Sequence, residues 1–125
     1  MNKYQALHSF WSSFGIPAYD ENSVPLDDTR PEPPYITYEV ITGSIGDMIP
    51  LTASIWYRSP SWIDVSQKAD EVAEHIGYGF AAIPLDDGYL WITKGSPFSR
   101  RMGDENDSMI KRVIINIMAE FLTAY

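Results

Sequence analysis

The alternation of residue types near the end of the chain constrains the fold most. Between Met109 and Thr123 one set of alternate positions is apolar and consists of Val113, Ile115, Ile117, Ala119 and Phe121. The positions between them form a mixed face of Arg112, Ile114, Asn116, Met118, Glu120 and Leu122. Because successive side chains of a strand point to opposite faces, this pattern predicts one strand of about 14 residues, longer than the usual three to ten. Its half-apolar second face is typical of a surface that a neighbouring subunit covers.

Two helices are predicted upstream of this strand. Residues 2–14 carry an apolar stripe of Tyr4, Leu7, Trp11 and Phe14, widened by Phe10. Asn2 and Gln5 are spaced for a capping box. Residues 61–77 form the second helix, with Ser61 as its cap, Gly77 as its end and a buried stripe of Trp62, Val65, Ala69, Val72, Ala73 and Ile76.

The remaining strands are predicted as two hairpins. Tyr35–Thr42 and Leu51–Ser59 are rich in β-branched and aromatic residues, and the short connection between them favours an antiparallel pair. A second hairpin turns on Asp86-Asp87-Gly88. The strand–helix–strand step over residues 51–85 is compatible with a right-handed crossover. The order α-β-β-α-β-β-β predicts a two-layer α+β fold over residues 1–125, a single domain with a mixed, mostly antiparallel sheet of about five strands and two helices packed on it.

Composition excludes several classes of function. The 125 residues include no cysteine, which rules out disulfides, cysteine-ligated zinc and thiol catalysis. The net charge is -8 with only nine Lys and Arg, so tight binding to nucleic acid is not expected. No apolar run approaches the roughly 20 residues of a membrane helix, and no membrane partner is expected.

Two loops are predicted as contact regions, since long loops on a rigid sheet often meet partners. Residues 15–34 hold five prolines and are predicted to be irregular, and the first contact region is the part of this loop over residues 18–34. The second loop spans residues 96–109 and contains Arg100, Arg101 and Asp104. Counted from Asp104, the calcium-loop pattern requires glycine at the sixth position and glutamate at the twelfth, where this chain has Met109 and Ile115. We therefore predict no metal site; the candidate oligomer or partner contacts are Arg100, Arg101, Asp104, Arg112 and Glu120.

No catalytic residues and no cofactor are predicted. His8 and His75 lie on separate predicted helices, neither has a second metal ligand at helical or loop spacing, and the chain has no G-x-S-x-G elbow. The aromatic residues are expected in the core or at an interface, although they could also line a pocket. They are Tyr35, Tyr38, Trp56, Tyr57, Trp62, Tyr89 and Trp91.

The chain resembles the tail terminator, or tail completion, proteins of long-tailed bacteriophages and prophages. The segments that carry the resemblance are "FWSSFGIPAYDENSVP", "PYITYEV", "IWYRSPSWIDVSQKADEVAEHIG", "DDGYLWITKGSPFSRRM" and "RVIINIMAEFLT". The resemblance implies a structural, non-enzymatic protein with an α+β fold. It implies a homohexameric ring that caps the tail tube protein and meets a head-completion protein. It also implies a place in the virion tail after assembly in the cytoplasm of the bacterial host.

Two other functions remain open at this point. The chain could be an adaptor at the head–tail connector or another minor tail protein, because composition does not separate these from a terminator. It could also be a small-molecule-binding or hydrolytic α+β domain that uses the aromatic residues and His75.

Overall fold

The structure is a computed structural model that describes residues 1–25 and 27–124. It contains two helices, α1 (Lys3–Ser12) and α2 (Ile63–Ile76). The strands are β1 (Ala18–Asp20), β2 (Tyr35–Tyr38), β3 (Met48–Arg58), β4 (Ala81–Leu85), β5 (Gly88–Gly103) and β6 (Ile110–Leu122). They form one mixed sheet in the order β1-β2-β3-β6-β5-β4. The predicted α+β class is confirmed, with six strands in place of about five.

The first helix begins at the predicted capping box. The Asn2 side chain accepts from the Gln5 backbone at 2.9 Å, and the Gln5 side chain accepts from the Asn2 backbone at 3.0 Å. The buried residues of α1 are Ala6, Leu7, Phe10 and Trp11. Tyr4 was predicted to join this stripe, and that prediction is wrong because its side chain is 53% exposed. The apolar face of the helix is centred on Leu7 and Phe10 instead.

The second helix buries four of the six residues predicted for its apolar stripe, and Trp62 and Ala73 are half-buried. Val65, Ala69, Val72 and Ile76 are its buried residues, and Gly77 ends it with a φ of 73°. Ser61 was predicted as the N-cap of α2, but the N-cap residue is Trp62, whose side chain makes no capping hydrogen bond. The Ser61 hydroxyl accepts from the Ile63 backbone at 3.0 Å, one residue before the cap.

The long final strand is confirmed and lies in the middle of the sheet. It pairs antiparallel with β3 from Met48–Glu120 to Arg58–Ile110, and with β5 on its other side. Its residues alternate strictly between half-buried and buried. A strand of this length is tolerated because β6 has a neighbour on each side, so its backbone N–H and C=O groups are not exposed at an edge of the sheet.

Three sequence predictions about the sheet are wrong. Residues 18–20 were predicted to be irregular but pair in parallel with β2 as strand β1, which is too short to show an alternation. Residues 96–103 were predicted to be a loop but continue β5 after a bulge between Lys94 and Ser99. The step from β3 through α2 to β4 is not a crossover between parallel strands, because β6 and β5 lie between them and every pairing from β3 to β4 is antiparallel.

The hydrophobic core lies between one face of the sheet and both helices. Leu51, Ile55, Ile115 and Ile117 of the central strands are at most 2% exposed and cluster with the buried faces of α1 and α2. Truncation of such a side chain to alanine typically costs about 2–5 kcal/mol of the free energy of unfolding. Since both helices share this core, the opposite face of the sheet is left without a helical cover in the described part of the chain.

Candidate functional site on the uncovered sheet face

We use the term uncovered face for the outward side chains of the three central strands. On β6 they are Ile110, Arg112, Ile114, Asn116, Met118, Glu120 and Leu122. On β3 and β5 they are the residues paired with these positions, among them Ser54, Trp56, Arg58, Trp91, Arg100 and Met102. The β6 residues of this face are all half-buried, whereas the opposite face of the strand is buried under the helices.

A row of four side chains crosses this face at one end. Tyr35, Trp56, Arg112 and Met102 are directly paired on four adjacent strands. The Tyr35 and Trp56 rings are stacked with centroids 6.1 Å apart, and the Arg112 guanidinium carbon lies 4.6 Å from the Trp56 ring centroid. Cation–π contacts of this kind contribute about 0.5–2 kcal/mol. The Trp56 indole donates to the Thr37 hydroxyl at 3.0 Å, which fixes the ring beneath the guanidinium.

Arg112 is a fixed cation without a carboxylate partner among the described residues. Its Nε donates to the Ser54 hydroxyl at 3.0 Å, and one terminal nitrogen lies 3.4 Å from the Met102 sulfur. Burial lowers the pKa of the Arg112 guanidinium, nearby Arg100 lowers it further, and Glu21 raises it. A guanidinium stays protonated at neutral pH despite such shifts. The site therefore presents a partly desolvated positive charge that can still donate to an incoming anion.

The two adjacent arginines of the predicted contact loop lie on opposite faces of the sheet. Arg100 pairs with Ile114 of β6 and therefore belongs to the uncovered face. Arg101 pairs with Val113, so its side chain lies on the helix side, where its guanidinium carbon is 5.2 Å from the Trp62 ring centroid. The structure thus groups Arg100 with Arg112 and separates Arg101 from both.

Asp104 lies at the edge of the uncovered face, in the turn between β5 and β6. Its carboxylate accepts from the backbone of Asn106 at 2.8 Å and of Asp107 at 3.2 Å, so it shapes the turn. It also lines a pocket of about 290 Å³ together with Trp56, Met102 and Arg112. Although Asp104 follows closely after two arginines in the sequence, it forms no ion pair with an arginine of the described residues.

An ion pair does join this turn to β3. Arg58 donates to the Asp107 carboxylate at 2.6 Å. That hydrogen bond is the main reason why the pKa of Asp107 is lowered from 3.8, and the Met109 backbone N–H, which donates to the same carboxylate, lowers it further. The ion pair is exposed and holds the turn against the end of the uncovered face.

Glu120 lies at the other end of β6 on the same face. It pairs with Trp91 on one side and Met48 on the other, and it forms no ion pair with a residue in the described ranges. The Trp91 ring stacks on Phe80 with centroids 4.6 Å apart, and Phe80 is 50% exposed. The uncovered face therefore has an arginine end around Arg112 and an aromatic end around Glu120.

The seven aromatic residues singled out in the sequence do not form one pocket. Tyr38, Tyr57 and Trp62 lie on the helix side of the sheet, where burial raises the pKa of the Tyr38 and Tyr57 phenols. Tyr35, Trp56, Tyr89 and Trp91 lie on the opposite side. The set thus divides between packing on the helix side and the uncovered face, where Tyr89 is exposed and the other three are half-buried.

The histidines make contacts that the sequence did not predict. His8 Nδ1 lies 2.8 Å from the Tyr38 hydroxyl oxygen, and Nε2 lies 3.2 Å from the hydroxyl oxygen of Ser12, one helical turn away. The spacing of Ser12 from His8 was visible in the sequence, but the contact with Tyr38 depends on how α1 packs on β2. His75 packs its ring edge-on against Phe10 and Phe14. Among the residues that the structure describes, no group of three histidine or carboxylate side chains is placed to hold a metal ion.

No model of a known protein family matches the chain, and no curated protein matches it significantly. Within residues 1–25 and 27–124, no helix is long and apolar enough to cross a membrane.

Proposed function

We propose that the chain is a structural subunit of a long-tailed bacteriophage or prophage that assembles into a ring, caps the tail tube and provides the surface for head joining. The sequence resemblance supports the tail role. The observation that supports assembly is the uncovered face, because its central strands carry half-buried apolar side chains and a fixed arginine that forms no ion pair with a carboxylate of the described chain.

The proposed contacts lie on and beside this face. Arg100, Arg112 and Glu120 are on it, and Asp104 is at its edge. Arg101 lies on the opposite face, so a partner that covers the uncovered face would not reach it. Partners in this role are further copies of the chain in a homohexameric ring, the tail tube protein and the head-completion protein.

A tube-capping experiment tests this function. Purified protein is mixed with tail tubes that lack their cap and is imaged by negative-stain electron microscopy. We expect rings at one tip of each tube, and we expect Arg100→Glu to reduce the capped fraction while the protein stays folded. Decoration along the whole tube, or binding to filled heads in place of tube tips, would contradict a terminator and favour the connector adaptor or another tail component.

A further inference from the structure

The outward residues of β6 are arranged symmetrically in chemical type about Asn116. Ile114 and Met118 lie two positions to either side, Arg112 and Glu120 four positions, and all of them are half-buried. Further out, Ile110 and Leu122 lie six positions to either side. The order is therefore apolar, positive, apolar, amide, apolar, negative, apolar. With a rise of about 3.4 Å per residue, each charge stands about 14 Å from the centre.

This order is complementary to itself in only one of the two simple face-to-face arrangements. If two copies face each other with their β6 strands antiparallel about Asn116, Arg112 of each copy meets Glu120 of the other, and Ile114 meets Met118. If the strands run parallel, Arg112 meets Arg112 and Glu120 meets Glu120. Like charges placed opposite each other are destabilising, so the charges select the antiparallel arrangement.

Both charged groups are available for such a contact. Neither Arg112 nor Glu120 forms an ion pair with a residue of the described chain. Arg112 is held in place by Trp56 and Ser54, so little side-chain freedom is lost when it meets a carboxylate. At the centre, Asn116 donates its amide to the Pro97 carbonyl at 3.0 Å, which leaves its own carbonyl free of described partners.

The area of the face suits a specific contact. Each outward residue of a sheet covers roughly 33 Å², two rises along the strand by one strand spacing. The 18 outward residues of β6, β3 and β5 then give roughly 600 Å² on each copy, at the lower end of the range of about 600–1,000 Å² per partner of specific interfaces. Packed sheets lie about 10 Å apart with strands crossing at about 30°, a separation that arginine and glutamate side chains can bridge together.

We infer that the uncovered face is an interface with a second copy of this chain, formed about a two-fold axis at Asn116, in which Arg112 of each copy pairs with Glu120 of the other. A two-fold contact closes on itself and cannot extend into a ring. We therefore assign this pair to the free protein, and it has to be exchanged for other contacts when the proposed ring forms. The pairing follows from the residue order of β6 and does not depend on the tail role.

Substitutions that reverse the charge at position 112 or at position 120 test this pairing. We expect Arg112→Glu and Glu120→Arg each to weaken self-association by about a hundredfold, since each substitution makes both ion pairs of the dimer repulsive. An equimolar mixture of the two variants restores both pairs and should form a mixed dimer, measured by native mass spectrometry and sedimentation velocity. Glu74→Arg, on the exposed side of α2, is the matched control and should associate like the wild type.

Folding controls keep the test decisive. If the half-buried glutamate of Arg112→Glu unfolds the chain, Arg112→Gln takes its place, and its mixture with Glu120→Arg restores one of the two ion pairs. Circular dichroism verifies the fold of each variant. A wild-type chain that is monomeric at about 100 μM, far above a micromolar Kd, would overturn the pairing. Folded single variants whose mixture forms no mixed dimer would overturn it as well. Tube capping that persists in either case would leave the proposed tail function standing.

Discussion

Replacing Gly88 with alanine tests whether β5 approaches β6 as closely as the structure requires. Gly88 is the first residue of β5 and pairs with Leu85 across the hairpin. An added Cβ would overlap the Leu122 carbonyl oxygen and lie 2.9 Å from its carbonyl carbon. The φ of Gly88 is outside the left-handed region, so alanine meets no torsional penalty there and the cost is steric alone.

The expected cost is about 3 kcal/mol in the free energy of unfolding. Overpacking costs about 1–3 kcal/mol when side chains can move aside. Here the obstacle is backbone, so we expect the upper end of that range, because relief requires the end of β6 to shift. For a domain of this size, 1 kcal/mol corresponds to about 4 °C in the melting temperature, which gives a decrease of about 12 °C.

The matched control is Gly103→Ala at the other end of β5. An added Cβ at Gly103 has no heavy atom within 4 Å, apart from its chain neighbours. Alanine should therefore be neutral or stabilise the chain by up to about 1 kcal/mol through the unfolded state. Both variants are measured by scanning calorimetry and urea denaturation. Equal melting temperatures for the two would refute the close approach, and with it the register that places Trp91 beside Glu120.

Two further outcomes are expected. Arg100→Glu should weaken self-association, whereas Arg101→Glu should not, because the two side chains lie on opposite faces of the sheet; equal effects in sedimentation velocity would contradict that placement. Arg58→Met should raise the pKa of the Asp107 carboxyl towards 3.8, since the hydrogen bond from Arg58 is the main cause of its lowered value. The contribution of the ionised Asp107 carboxylate to the free energy of unfolding is present above pH 3.8. It is lost as the pH falls through the lower pKa that this carboxyl has in the folded chain. Carbon-detected NMR titration measures the pKa, and an unchanged value in the variant would contradict the ion pair.

Helices and strands whose apolar residues repeat at a regular spacing were predictable from the sequence, whereas a strand interrupted by turn-forming residues was not. The alternation of apolar and mixed positions from Val113 to Phe121 predicted both the strand β6 and which of its faces is buried. The continuation of β5 beyond Lys94 was not predictable, because Gly95-Ser96-Pro97 is typical of a turn. The structure accommodates these residues in a bulge, after which pairing with β6 resumes at Ser99.

The candidate surface depended on the same interrupted element. As neighbours in a loop, Arg100 and Arg101 were expected to act together. As neighbours in a strand, they point to opposite faces. The contact of Arg112 with Trp56 was not predictable for another reason. The two residues are 56 positions apart in sequence, and they meet only because of the register between β3 and β6, which depends on tertiary packing.

The uncovered face is suited to a reversible contact by the way its charges and apolar residues are mixed. Half-buried apolar residues such as Ile114 and Met118 alternate along β6 with Arg112, Asn116 and Glu120, so the face is not one continuous apolar patch. Charges in a fixed order add orientation and specificity more than affinity. An interface built this way can hold two free subunits in one arrangement and still be exchanged for another partner. A continuous apolar face of the same area would bind more permanently, because obligate interfaces resemble a divided core.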